Sequence, residues 1–135
     1  MTHLLDTSAL LAHYLGEPGA DRIQSLFEDA TAIVGTSILA MYEFDLRLHL
    51  LGIDATSRMT ELNRYGALLS EIVNVDEAVR SEAVSLRVSA SARVSAMDTL
   101  IAATASSHRA VLVHRDPHFS AISAGRLKQE LLPSK

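Results

Sequence analysis

His3-Leu4-Leu5-Asp6-Thr7-Ser8-Ala9-Leu10-Leu11 opens the chain with a short apolar run, an acid, and then a helix-forming stretch. Residues 3–5 fit a strand and residues 7–15 a helix, and Gly16-Glu17-Pro18-Gly19 stops that helix firmly. Working outward, the same alternation repeats. Residues 20–29 fit a second helix, with Ile23, Leu26 and Phe27 on one face. A strand over 32–34 is followed by a long helix over 37–51 that ends at Gly52, and by another helix over 55–69. Residues 72–75 read as a strand, and 76–88 as a helix capped by Asp76. Residues 97–107 read as a helix opened by Ser95-x-x-Asp98, a capping-box pattern with Asp in place of Glu. Residues 110–113 read as a further strand, and the tail after Phe119 suits either a last strand or a short helix. Strands alternating with helices imply a parallel sheet covered on both faces. In such sheets ligands gather beyond the carboxyl ends of the strands, where Asp6 and Asp116 each follow one.

With 135 residues, 48% of them hydrophobic, the chain has the size and composition of one globular domain with a real core. No apolar stretch approaches the ~20 residues a membrane span needs, and the first residues lack the basic-then-apolar pattern of a signal peptide, so a cytoplasmic location is expected. The absence of cysteine excludes disulfides and thiolate metal sites. A net charge of −4 argues against a nonspecific basic coat for nucleic acid. Ten of the twelve basic residues are nonetheless Arg, the side chain suited to planar contacts with phosphate. Aromatic content of 4% without Trp makes base stacking on an aromatic platform a poor basis for any RNA contact.

Four acids stand in apolar sequence: Asp6 after His3-Leu4-Leu5, Glu43 within 38–50, Asp98 before Leu100-Ile101-Ala102-Ala103, and Asp116 after Ala110-Val111-Leu112-Val113. An acid pressed into apolar surroundings costs free energy unless it is paired or holds a metal. Each has an ordinary explanation. Asp6 can cap the first helix, although Thr7 can cap it instead and leave Asp6 to point into the cleft. Glu43, spaced with Leu39, Leu46 and Leu50 along an apolar stripe, can pair with an Arg. Asp98 complements the dipole of its helix. Asp116 precedes Pro117 in a turn. Taken together, four separated acids suggest one oxygen-lined pocket, the form a hard divalent cation requires. His114, Asp116 and His118 alternate as a His–carboxylate zinc site on a strand would, but Pro117 breaks the alternation and favours a turn with solvated imidazoles. Arg80, Arg87 and Arg93 form either a solvated helix face or part of a track for RNA. No phosphate-binding Gly-rich loop and no Ser-His-Asp nucleophile elbow is present.

Asp6-Thr7-Ser8-Ala9-Leu10, Glu43 in its helix, Asp98-Thr99-Leu100-Ile101-Ala102-Ala103 and Asp116-Pro117-His118-Phe119 together resemble the PIN domain, and within it the VapC toxins of toxin–antitoxin pairs. The resemblance runs over nearly the whole chain. It implies an α/β fold, a three-layer α/β/α sandwich around a central, mostly parallel sheet of four or five strands, with residues 1–135 as a single PIN domain. It implies a metal-dependent endoribonuclease with Asp6, Glu43, Asp98 and Asp116 as the catalytic and metal-binding quartet, using Mg²⁺ or Mn²⁺. Many members of the family carry Ser or Thr where this chain has His114, so the role of a hydroxyl there falls open; Thr7 or Ser8 could orient substrate or water instead. The resemblance further implies an RNA substrate, a small VapB-like antitoxin that wraps the toxin, and a toxin homodimer. Two other classes stay open: a PIN-like binding or regulatory module without catalysis, and a general RNA-processing or DNA nuclease on the same scaffold.

Overall fold

The structure, a computed structural model, describes residues 1–135. Five strands lie in one sheet: β1 (His3–Leu5), β2 (Val34–Ser37), β3 (Glu71–Val73), β4 (Val111–His114) and β5 (Gln129–Leu131). Their order is β3-β2-β1-β4-β5, and every pairing is parallel. Six helices flank the sheet: α1 (Thr7–Leu15), α2 (Ala20–Glu28), α3 (Ile38–Leu50), α4 (Ala55–Leu68), α5 (Glu77–Ser89) and α6 (Ala96–Ser107). A 3₁₀ turn spans Pro117–Ala121. The expected parallel sheet is therefore five-stranded and parallel throughout. The tail holds both of its alternatives, a short helical turn and then a strand.

β1 is central, hydrogen-bonded through the register His3↔Val34 on one side and His3↔Val111 on the other. Leu4 and Leu5 are fully buried because the sheet is covered on both faces. The chain runs outward from β1 through β2 to β3, then returns to place β4 on the opposite side of β1. The β1/β4 pair is thus the point where the direction of winding reverses. Loops leaving its carboxyl end diverge and open the crevice where α/β sheets bind ligands. Asp6 leaves β1 there, and Asp116 follows β4 by two residues.

Two elements depart from the sequence-based expectation. β2 begins at Val34 and continues through Gly35-Thr36-Ser37, past the expected end of the strand at 34 and over the expected start of the helix at 37. Their polar groups are satisfied inside the fold. The Thr36 hydroxyl donates to the Leu5 carbonyl at 2.7 Å, and Ser37 Oγ accepts from the Leu39 N–H at 3.1 Å to cap α3. Gly35 is required by close approach: a Cβ there would sit 3.0 Å from the Glu71 carbonyl oxygen of the neighbouring strand. On α3 the buried face is Ala40, Met41, Phe44 and Leu48, while Leu46 and Leu50 are exposed. The stripe that carries Glu43 is therefore a half-exposed flank, one position off the core face.

The core is one cluster of 29 buried hydrophobic residues, built from β1, β4 and the inner faces of α1, α3 and α6. Phe44 packs edge-on against Tyr65 at 5.1 Å between ring centres, and the buried Tyr65 hydroxyl is bonded to His13 Nδ1 at 2.6 Å. Every fully buried side-chain N or O atom in the fold has a hydrogen-bond partner. No helix is long and apolar enough to cross a membrane.

Candidate active site

Asp6 stands where β1 passes into α1. Its N–H donates to the Val113 carbonyl at 3.1 Å, which extends the β1–β4 pairing by one residue. Its backbone is extended and its side chain caps α1: Oδ1 accepts from the Ala9 N–H at 2.9 Å and from the Ser8 hydroxyl at 2.6 Å. The expectation that Thr7 would cap the helix is thus corrected. Asp6 caps with one oxygen and keeps the other free of protein partners. Since no fully buried polar atom lacks a partner, that free oxygen, Oδ2, is not sealed from solvent. The residue is otherwise only 4% exposed. Burial pushes its carboxyl up to about 7 against the hydrogen bonds from Ser8 and Ala9, and the nearby charges of Asp98 and Asp116 add to the rise.

Asp98 lies in the first turn of α6, half-buried, with its N–H held by Ser95 Oγ at 3.1 Å. Burial raises its pKa, the Ser95 hydrogen bond opposes this, and the Asp116 carboxylate raises it further. Asp116 caps the 3₁₀ turn: its Oδ1 accepts from the His118 N–H at 2.9 Å and lies 2.8 Å from His118 Nδ1. The fold thus gathers three aspartates, from three separate elements, within one another's field at the switch point.

Glu43 approaches by another route. Thr7 Oγ1 donates to Glu43 Oε1 at 2.6 Å, so the residue beside Asp6 fixes the carboxylate on α3. Ser8 accepts from the Arg115 N–H at 2.8 Å while donating to Asp6, tying the β1–α1 junction to the loop after β4. Arg115 in turn binds Glu17 at 2.8 Å and holds the α1–α2 turn against that loop. The two hydroxyls expected to orient water or substrate are therefore committed to holding carboxylates. Replacing Thr7 with Val keeps the side chain's shape and removes that donor. Because Glu43 is half-exposed, Thr7→Val is expected to leave the melting temperature within a few degrees of the parent while weakening any uptake of a divalent cation by these acids about 10–100-fold, as loss of an outer-shell partner does. Calorimetric titration with Mg²⁺ beside thermal denaturation checks this, and unchanged uptake would remove Thr7 from the site.

His114 corrects a further expectation. It is the last residue of β4, only 2% exposed, and its ring lies against Phe119 at 4.7 Å between centres. Nε2 lies 2.9 Å from Gln129 Oε1, and Nδ1 accepts from the Asp116 N–H at 3.1 Å. Burial lowers its pKa despite these partners. Of the two, only His118 is solvated, at 80% side-chain exposure. Gln129 had no signal in the sequence, since it sits in a three-residue polar strand.

All donors are oxygens on carboxylates, the set suited to a hard divalent ion. As the side chains lie, no three Asp, Glu or His groups are close enough to share one ion. Mg²⁺ is an ion that keeps several waters and takes only one or two carboxylates directly. The acids line neither of the two largest cavities, a groove of about 530 Å³ beside α5 and α6 and one of about 660 Å³ against α3 and α4.

The chain is an all-parallel α/β domain with three aspartates gathered at its switch point. The family model of the PIN domain matches residues 3–125, and the chain belongs to that family. Comparison with curated proteins gives no match. Among solved structures, the chain is similar to VapBC2 from Rickettsia felis bound to a DNA fragment from its promoter, at 18% identity and a TM-score of 0.77, covering 98% of this chain and 100% of that one. It is similar to FitAcB from Neisseria gonorrhoeae at 23% identity and a TM-score of 0.74, covering 95% and 96%. It is also similar to VapC20 from Mycobacterium tuberculosis, a Sarcin-Ricin loop cleaving toxin, at 18% identity and a TM-score of 0.70, covering 98% and 100%. At these identities the likeness establishes the fold.

Proposed function

We propose that this chain is a Mg²⁺- or Mn²⁺-dependent endoribonuclease that acts in the cytoplasm as the toxin of a toxin–antitoxin pair. The observation that carries the reading is Asp6, a buried carboxyl raised to about 7 beside two further aspartates at the β1/β4 switch point. A structural cap does not need such company, and its ionised form is costly there without a cation. Asp6 Oδ2 and the Asp98 carboxylate would hold the main ion. Glu43, set by Thr7, and Asp116, whose Oδ1 is engaged by His118, would contribute through water. When bound, a hard divalent cation activates water and stabilises charge on the phosphate and the leaving oxygen. The protein's own part is orientation. Ser8 and Ala9 fix one oxygen of Asp6, and Ser95 fixes the start of α6.

The toxin role is supported by the folds this chain shares, which belong to toxin–antitoxin assemblies, some of them bound to DNA. A VapB-like antitoxin is the corresponding partner here, and the pair would bind its own promoter. A homodimer fits the apolar Val84 and Val88, both exposed on α5. The purified chain, incubated with single-stranded and structured RNA with and without Mg²⁺, tests the reading. Internal cuts that require the metal and vanish in Asp98→Asn support it. Failure to cut any RNA, together with no Mg²⁺ uptake by calorimetry, would leave a binding module in its place.

A further inference from the structure

We propose that His114 and Gln129 form a clamp that positions Asp116, so that β5 sets the backbone of an active-site acid from thirteen residues downstream in sequence. The proposal rests on the reading of Asp116 as a member of the metal site.

The hydrogen-bond directions follow from one another. Gln129 Nε2 donates to two main-chain carbonyls of the turn after Asp116, Phe119 at 3.0 Å and Ile122 at 3.2 Å. An amide nitrogen cannot accept, so these two bonds fix which way the Gln129 amide faces. Its Oε1 is then the atom turned to His114 Nε2 at 2.9 Å, and an oxygen there requires that Nε2 carry the hydrogen. The neutral ring's other nitrogen, Nδ1, is left as an acceptor, and the Asp116 N–H donates to it at 3.1 Å. One tautomer satisfies the whole set. The ring is buried on Phe119, and the His114 carbonyl accepts from the Leu132 N–H at 2.7 Å, which locks β4 to the tail.

The result is a bracket around the Pro117–Ala121 turn. Gln129 holds its carbonyl end and His114 holds its amide start. Asp116 lies inside the bracket with its Oδ1 tied to the turn, so the direction of its remaining oxygen is set by main chain that the clamp fixes. Ser or Thr at the position of His114 could supply an acceptor for the same N–H but could not reach Gln129. The imidazole therefore couples the acid to β5 in a way a hydroxyl cannot.

Two half-substitutions separate the ring's two jobs. His114→Asn keeps an oxygen near the place of Nδ1 and loses the reach to Gln129. His114→Gln keeps an amide near the place of Nε2 and loses the acceptor for Asp116. A third variant, Gln129→Met, keeps the chain length and removes both ends of its amide. Hydrogen exchange of the Asp116 amide in metal-free protein reads positioning directly. Exchange is expected to be about tenfold or more faster in His114→Gln, which loses the acceptor, and intermediate in His114→Asn and in Gln129→Met, each of which keeps an acceptor near Asp116 but cuts its tie to β5. Calorimetric titration with Mg²⁺ alone should show affinity weakened roughly 10–100-fold in His114→Gln, the range for an outer-shell partner, and by no more than about threefold in His114→Asn. Equal exchange at Asp116 in all four folded proteins would overturn the clamp. Were the parent to take up no Mg²⁺, the nuclease reading would fail on that arm, while the exchange arm would still decide whether His114 holds Asp116. Melting curves identify any variant that fails to fold, and Gln129→Met, remote from the acids in sequence, then decides in its place.

Discussion

Asp6→Asn should make the metal-free protein more stable at pH 8 by roughly 4 kcal/mol, a rise in melting temperature on the order of 10 °C for a chain of this size. The sign follows from the raised carboxyl. In the unfolded chain Asp6 ionises near its ordinary 3.8, whereas in the fold it holds its proton up to about 7. Between those values the folded state binds more protons than the unfolded one, so stability falls as pH rises through the window. Below it both states are protonated and the residue contributes nothing. Above it the fold carries the whole cost of an ionised, buried group facing Asp98 and Asp116. Asn keeps the acceptor for Ala9 and Ser8, so the α1 cap survives, and it removes the charge. The gap between variant and parent should be small at pH 4 and full at pH 8. Melting curves across that range check it, and a gap independent of pH would mean that Asp6 is not raised. Added Mg²⁺ should then stabilise the parent at pH 8 far more than the variant, because a ligand that binds only the fold adds its binding free energy to stability. A residue whose loss stabilises the empty protein is one kept for what it binds.

The sheet was legible in the sequence because the two strands at its centre, β1 and β4, are mostly apolar. Leu4, Leu5, Leu112 and Val113 are fully buried, and the acids that follow these strands mark the carboxyl edge. β2 was displaced because Gly35-Thr36-Ser37 carries turn chemistry. Only the neighbouring strands show why a glycine and two hydroxyls belong there, one accommodating a close carbonyl and the others bonded to Leu5 and Leu39. β5 has no apolar signature because its residues are half-exposed or exposed at the sheet's edge. In the site, local sequence located the acids but not their partners. Asp6 was assigned a cleft-facing role at the expense of its cap, yet a carboxylate has two oxygens and does both. Glu43 was singled out for a buried stripe that is in fact exposed, and its tie to the site is Thr7, distant in sequence. The pairing of His114 with Gln129 crosses strands and depends on register, which single-sequence periodicity does not contain.

Asp98→Asn should reduce single-turnover cleavage of RNA by roughly a thousandfold, since a cation's stabilisation of charge in phosphoryl chemistry is worth several kcal/mol and each 1.36 kcal/mol is tenfold. The substitution keeps the main-chain cap, in which Ser95 Oγ accepts from the Asp98 N–H, and Asn retains an oxygen for the Ser95 hydroxyl. Asp116→Asn should cost distinctly less, because one of its oxygens is already engaged by His118 and its side chain is 28% exposed, where water can substitute for it. The double variant is the sharper measurement. If both acids serve one ion together with Asp6, removing the second after the first has little left to remove, and the double variant should be about as slow as Asp98→Asn alone. If the two acted on separate steps, their free-energy losses would add. Additive losses would therefore sink the shared site while leaving each acid a role of its own. A double variant no slower than the single one ties α6 and the loop after β4 to a common cation, which is what their convergence at the switch point was built to allow.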